Sequence, residues 1–60
     1  MTITKTLIQE TERTLLYSSI KRGSKSMEDY ERAKRIIKRQ AISPGDYEAK
    51  IRIAADYIGV

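Results

Sequence analysis

The chain contains no cysteine, histidine, tryptophan, phenylalanine or asparagine, and only one proline. Without cysteine it has no disulfide bond and no thiolate metal site, and without histidine its scattered carboxylates do not form a structural zinc site. No nucleophile–base pair can be formed with His or Cys either. We therefore expect no metal, no cofactor, no small-molecule substrate and no enzymatic activity.

Long apolar runs are also missing. No stretch approaches the roughly 18 consecutive apolar residues that suggest a membrane span. The first ten residues contain no apolar run of signal-peptide length, and two glutamates follow closely. We expect a cytoplasmic protein with no membrane partner.

The length of 60 residues predicts a single domain, residues 1–60, with a small core. A domain of this size buries only about 60% of the surface that its unfolded chain exposes. Small folds usually gain further stability from disulfides, a metal or an oligomer interface, and this chain has only thirteen large aliphatic residues. We therefore expect it to associate with a second copy of itself or with another protein.

Two breaks divide the chain into three segments with helical periodicity. The breaks are Gly23–Ser26 and Ala41–Gly45. The segments between them predict helices over residues 4–22, 27–40 and 44–58. The predicted fold is all-α, either a three-helix bundle or a helical hairpin with a third helix, in a form that can dimerise.

The second and third predicted helices begin with the same pattern, S-x-x-D-Y-E. Ser26 and Ser43 are favoured N-cap residues, and an acid three residues later can return a hydrogen bond as in a capping box. Gly23 and Gly59 follow the first and third predicted helices, where a left-handed glycine often ends a helix. Local capping explains the shared pattern better than a duplicated hairpin, because so little sequence is repeated.

The beginning of the chain also fits a β-strand. Residues 2–7 alternate polar and apolar side chains and are rich in β-branched types. A strand here would give the ribbon–helix–helix arrangement, whose two-stranded ribbon reads DNA as a dimer. A helix-turn-helix made from the second and third helices is less suitable, because the third is net acidic. We favour a helix at residues 2–7, and a helix there favours protein binding.

The third predicted helix carries two apolar stripes. Its main stripe contains Tyr47, Ile51, Ala54, Ala55 and Ile58. A second stripe, at i, i+4 and i+8, contains Ala49, Ile53 and Tyr57. Two stripes mean either that this helix is central or that it contacts a partner. We predict that Ala49, Ile53 and Tyr57 bind a partner, in a homo-oligomeric protein that acts through protein–protein contacts in regulation or assembly.

Positive charge is concentrated in the middle of the chain. The formal net charge is +4, and eight of the twelve Lys and Arg residues lie between positions 21 and 39. Some of this charge has acidic neighbours at i,i+4, namely Glu28 with Arg32 and Glu31 with Arg35. The alternative function is a small DNA- or RNA-binding transcriptional regulator. Its phosphate contacts would come from Lys21, Arg22, Lys25, Arg32, Arg35, Lys38 and Arg39.

Overall fold

The computed structural model describes residues 4–60, which form three α-helices: α1 (Lys5–Tyr17), α2 (Met27–Gln40) and α3 (Pro44–Ile58). The all-α prediction is confirmed, and residues 4–60 contain no strand. The start of the chain is helical from Lys5, and the hydroxyl of Thr4 caps this helix by accepting a hydrogen bond from the Leu7 N–H at 3.1 Å. Positions 2 and 3 of the strand alternative lie outside the described residues.

The central helix of the fold is α3. It packs against both α1 and α2, whereas α1 and α2 touch each other only slightly. The main core cluster consists of Leu15, Ile20, Ala33, Ile37, Ala54, Tyr57 and Ile58. Tyr30 and Tyr47 are half-buried against this cluster, as expected of amphipathic rings. Met27 is the first residue of α2 and is 61% exposed.

Both serine-capped helix starts form as predicted. Ser26 Oγ accepts a hydrogen bond from the Asp29 N–H at 3.3 Å, and Ser43 Oγ accepts one from the Asp46 N–H at 3.1 Å. The end of α3 is also as predicted, because Gly59 adopts a left-handed conformation with φ +89°. These local signals place α2 and α3 at the predicted bounds.

The Asp46 side chain accepts a hydrogen bond from the residue directly before the N-cap Ser43. Its Oδ2 accepts from the Ile42 N–H at 3.2 Å, and the Lys50 ammonium lies 3.0 Å from the same oxygen. The hydrogen bond from Lys50 is the main reason why the pKa of the Asp46 carboxyl is lowered. Burial opposes this shift, and the Ile42 N–H supports it. The carboxylate therefore fixes the turn between α2 and α3.

The first helix is shorter than predicted, because it ends at Tyr17 and not at residue 22. Ser19 adopts a left-handed conformation with φ +63°. The N–H groups of Ser19 and Ile20 donate to the carbonyls of Leu16 and Leu15, both at 3.0 Å. This is a Schellman motif with serine in the usual glycine position. The motif turns Ile20 into the core beside Leu15, and both side chains are fully buried.

The connection between α1 and α2 is tied to the end of α3. The N–H of Gly23 donates to the Tyr57 carbonyl at 2.7 Å, and the N–H of Lys25 donates to the Ile58 carbonyl at 2.8 Å. These bonds satisfy carbonyl groups at the C-terminal end of α3, which have no hydrogen-bond partner within the helix. Gly23, which was predicted to end α1, therefore belongs to a loop that closes α3.

None of the helices in residues 4–60 is long and apolar enough to cross a membrane.

Candidate functional site

The predicted partner-binding stripe of α3 is buried within the chain. Ala49 and Ile53 are 6% exposed, and Tyr57 is 5% exposed. The Tyr57 hydroxyl donates to the Ile20 carbonyl at 3.0 Å, and the Arg22 guanidinium lies 4.9 Å from the centre of its ring. A helix between two neighbours needs apolar side chains on two sides, so the second stripe of α3 serves the core. The three side chains are therefore largely covered within one chain, and their contact with a partner stays a prediction.

Two of the predicted phosphate-contacting arginines are engaged within the chain. Arg22 Nη2 lies 2.8 Å from a carboxylate oxygen of Glu12. Arg32 Nη2 donates to the Ser18 carbonyl, at the C-terminal end of α1, at 2.7 Å. Both side chains thus hold the connection between α1 and α2 in place.

The ion pairs along α2 differ from those expected. The sequence predicts the i,i+4 pairs Glu28–Arg32 and Glu31–Arg35. The structure instead shows i,i+3 pairs, Arg32 with Asp29 at 3.6 Å and Lys34 with Glu31 at 3.7 Å. Arg32 turns towards Ser18, and Asp29 lies on that side of the helix. Such exposed pairs contribute at most about 1 kcal/mol each.

The other five predicted cations are exposed, and none forms an ion pair within residues 4–60. Lys21 and Lys25 precede α2, whereas Arg35, Lys38 and Arg39 occupy its C-terminal half. A helix of this length spans about 20 Å, which exceeds two Debye lengths at physiological salt. The predicted basic region is therefore spread along α2, with Lys21 and Lys25 before its first residue and Arg35, Lys38 and Arg39 in its second half. Lys38 and Arg39 also lie in the last turn, where positive charge stabilises the helix.

An open groove of about 670 Å³ lies at the turn between α2 and α3. Its lining includes Lys38, Ala41, Ile42, Pro44, Tyr47 and Glu48. Ile42 is 90% exposed, more than any other large apolar side chain in residues 4–60. Its backbone is nevertheless held in place, because its N–H donates to Asp46. The groove therefore presents an apolar side chain from an ordered turn, next to the exposed Lys38 and Glu48.

Sequence reasoning missed this groove because the segment Ala41–Gly45 was interpreted only as a break between helices. The available signal was the isoleucine at position 42, placed between the end of one helix and the serine cap of the next. An apolar residue directly before an N-cap often packs against the fourth residue of the helix, here Tyr47, as a hydrophobic staple.

Other exposed apolar side chains stand among charged neighbours. Leu16 is 65% exposed beside a groove of about 430 Å³ lined mainly by Glu12, Arg13, Lys21 and Arg22. Met27 borders one of about 400 Å³ lined otherwise by Glu28, Glu31, Arg32 and Arg35. Single apolar residues on a surface are normal in folded proteins. Both grooves are smaller than the one at the α2–α3 turn, and most of their lining residues are charged.

A narrow cleft of about 100 Å³ borders α1, α2 and α3, with Thr11, Ile37 and Lys50 in its lining. Thr11 is 3% exposed, and its hydroxyl has no hydrogen-bond partner among the protein groups of residues 4–60. The volume of this cleft is below the range of about 300–1,000 Å³ that is usual for small-molecule sites. The described residues also contain no group of three or more acidic side chains that could share a metal ion.

The chain matches no protein-family model, no curated protein and no solved structure.

Proposed function

We propose that this chain is a non-catalytic helical binding module that acts through contacts with another protein, in regulation or assembly. The supporting observation is the groove at the α2–α3 turn, where Ile42 is 90% exposed on an ordered backbone. Protein interfaces concentrate their binding energy in a few buried anchors that a polar rim surrounds. The groove has this composition, with Ile42 and Tyr47 as apolar groups and Lys38 and Glu48 as polar neighbours.

A second copy of the chain is a less suitable partner than a different protein. The homo-oligomer was predicted from the small core and from the second stripe of α3, and that stripe is largely buried within one chain. A standard interface buries about 800 Å² per partner, nearly a fifth of the 4354 Å² surface of this protein. Exposed apolar groups do not form one area of that size, because Met27 begins α2 and Ile42 follows the other end of this helix. Sedimentation equilibrium tests this, and we expect a species of 6.9 kDa.

A pull-down from the native host, followed by mass spectrometry, tests the proposed function. The full chain is compared with Ile42→Ser and with Leu16→Ser as the matched control. Leu16 is 65% exposed and lies outside the groove, so the control removes a similar apolar side chain elsewhere. We expect specific proteins to be captured by the wild type and the control, and to be lost from Ile42→Ser. Identical captured proteins from all three chains would rule the groove out.

A DNA- or RNA-binding regulator is the second candidate. The observation that favours it is the group of three exposed cations without ion pairs in the C-terminal half of α2: Arg35, Lys38 and Arg39. The helical start at Lys5 argues against the ribbon arrangement, and Asp46 and Glu48 near the start of α3 disfavour a recognition helix there. Both points place this candidate second.

Salt dependence and nuclease treatment separate the two candidates. Three phosphate contacts predict a slope of about −2 to −3 for the logarithm of affinity against the logarithm of salt concentration. A gel-shift titration with mixed duplex DNA measures this slope. Under the protein-binding proposal we expect no shift even at low salt, and captured proteins that persist after nuclease treatment.

A further inference from the structure

We propose that a groove between α1 and α3 binds a small organic anion, in which a carboxylate or another anionic group is attached to an apolar body. The groove has a volume of about 430 Å³ and is lined by Glu12, Arg13, Leu16, Lys21, Arg22 and Tyr57. None of these residues lines the groove at the α2–α3 turn, so this site goes beyond the proposed function. The sequence predicts no small-molecule substrate, and the organic anion is a ligand that is bound without being converted.

The lining of this groove carries an excess of positive charge. Its three cations are Arg13, Lys21 and Arg22, and all three are exposed. Its one acid is Glu12, and this carboxylate is already paired with Arg22 Nη2 at 2.8 Å. Arg13 and Lys21 form no ion pair within residues 4–60. Two positive charges are therefore left for a ligand, and they favour an anion over a neutral molecule or a cation.

The same groove offers apolar surface to the body of a ligand. Leu16 is 65% exposed, and it lies on the same side of α1 as Arg13, which precedes it by three positions. The basic side chains of the lining add methylene groups, which can lie along a groove while the charged ends stay in water. A small anion without an apolar part leaves this surface in water, whereas an organic anion covers it. The charge and the apolar surface together select a molecule that has both properties.

One side of the groove is already ordered within the chain. The Arg22 guanidinium lies 4.9 Å from the centre of the Tyr57 ring and also pairs with Glu12. The Tyr57 hydroxyl donates to the Ile20 carbonyl at 3.0 Å. Binding to ordered side chains costs less conformational entropy. The volume of the groove also lies within the range of about 300–1,000 Å³ that is usual for small-molecule sites. Order and size together favour a single small molecule as the ligand.

Three probes with matched chemistry test the proposal. Hexanoate has the apolar body and the charge, hexanamide has the body without the charge, and acetate has the charge without the body. Each probe is titrated into the isotopically labelled full chain at low salt and followed by NMR. We expect hexanoate to give saturable shifts of the Leu16, Lys21 and Arg22 amide signals. We expect hexanamide to bind about fivefold more weakly, and acetate to give no saturable shift of these signals.

Variants assign the contributions of the charges and of the apolar surface. The double change Arg13→Gln with Lys21→Gln is expected to lower the affinity for hexanoate about fivefold and to leave that for hexanamide unchanged. The matched control is Lys38→Gln with Arg39→Gln, which removes the same net charge at exposed positions outside the groove. We expect this control to bind hexanoate as the wild type does. Leu16→Ser is expected to weaken hexanoate and hexanamide to a similar extent, because it removes apolar surface.

Several results would overturn the inference. Equal affinity for hexanoate and hexanamide would show that charge does not select the ligand. Saturable binding of acetate at the same amides would leave no role for the apolar body. An equal loss of affinity in the two double variants would attribute binding to the net charge of the whole chain.

Other occupants of the groove are distinguished in the same titrations. Shifts of the same amides as the free chain is concentrated would assign the groove to a second copy. Tighter binding, per charged group, of phosphatidylglycerol vesicles, a single-stranded oligonucleotide or polyglutamate would assign it to a membrane surface, a nucleic acid or an acidic protein. The pull-down with Ile42→Ser decides the proposed function separately, because Leu16→Ser is expected to keep its protein partners while it loses affinity for hexanoate.

Discussion

The buried hydroxyl of Thr11 gives the sharpest test of how the three helices pack at the narrow cleft. Thr11 lies on α1, is 3% exposed, and borders the narrow cleft near Lys50. Its Oγ1 has no hydrogen-bond partner among the protein groups of residues 4–60. A threonine in a helix can donate to the carbonyl four residues earlier. Thr14 does so, with its hydroxyl 3.0 Å from the Glu10 carbonyl, but Thr11 does not.

Replacing Thr11 by valine is therefore expected to stabilise the fold. A buried polar group without a partner costs about 1–3 kcal/mol. Valine has nearly the same shape, is also β-branched, and has a similar helix propensity, so the hydroxyl is the main difference. We expect the free energy of unfolding to rise by about 1 kcal/mol, the lower end of that range. In a domain of this size, about 1 kcal/mol corresponds to a rise in Tm of roughly 4–8 °C.

Thr14→Val is the matched control for Thr11→Val. It removes a hydroxyl that is hydrogen-bonded and partly solvated, so we expect no gain and a loss of up to about 1 kcal/mol. Urea unfolding followed by far-ultraviolet circular dichroism measures both variants. If Thr11→Val lowered the free energy of unfolding as much as Thr14→Val, the Thr11 hydroxyl would be hydrogen-bonded in solution, and the packing argument for this cleft would be refuted.

Three further predictions concern stability. Ser19→Gly should stabilise the fold by about 0.5–1 kcal/mol in urea unfolding, because glycine adopts the left-handed conformation without strain. Ser18 does not adopt that conformation, so Ser18→Gly should not stabilise the fold. Tyr57→Phe should cost about 1 kcal/mol, since the Ile20 carbonyl loses its partner; an unchanged midpoint would contradict this bond. The lowered pKa of Asp46 stabilises the fold at neutral pH, and this contribution is lost below about pH 4. The stability difference between wild type and Asp46→Asn should shrink on acidification, and a constant difference would refute it.

The parts of the fold that local chemistry determines were predictable from the sequence. The bounds of α2 and α3 agree with prediction because Ser26 and Ser43 cap them, and Gly59 ends α3 with a positive φ. The end of α1 was not predictable in this way. A serine occupies the left-handed position of its Schellman motif, and serine carries no strong signal for it. The burial of Ile20 beside Leu15, which is a tertiary contact, favours this end over a longer helix.

The candidate site was harder to predict than the fold, because periodicity shows that a face is apolar but not what covers it. The stripe of Ala49, Ile53 and Tyr57 has the same spacing whether α1 or a partner lies against it. In the structure α3 packs between two helices, and the stripe is largely buried within one chain. Ile42 is the opposite case, since it lies outside any periodic pattern and yet is the most exposed large apolar side chain among the described residues.

The two ends of α2 differ in what their side chains do, and this difference favours one end as the binding surface. Before α2, the backbone of Gly23 and Lys25 closes the end of α3, and Arg32 holds the end of α1. Substitutions there would change folding and binding together. At the other end of α2, Ile42 lies exposed on a turn that Asp46 already fixes, and its side chain is only a tenth covered by the rest of the fold. A partner can bind a side chain at little conformational cost when that side chain is exposed, is held on an ordered backbone and is not needed for folding.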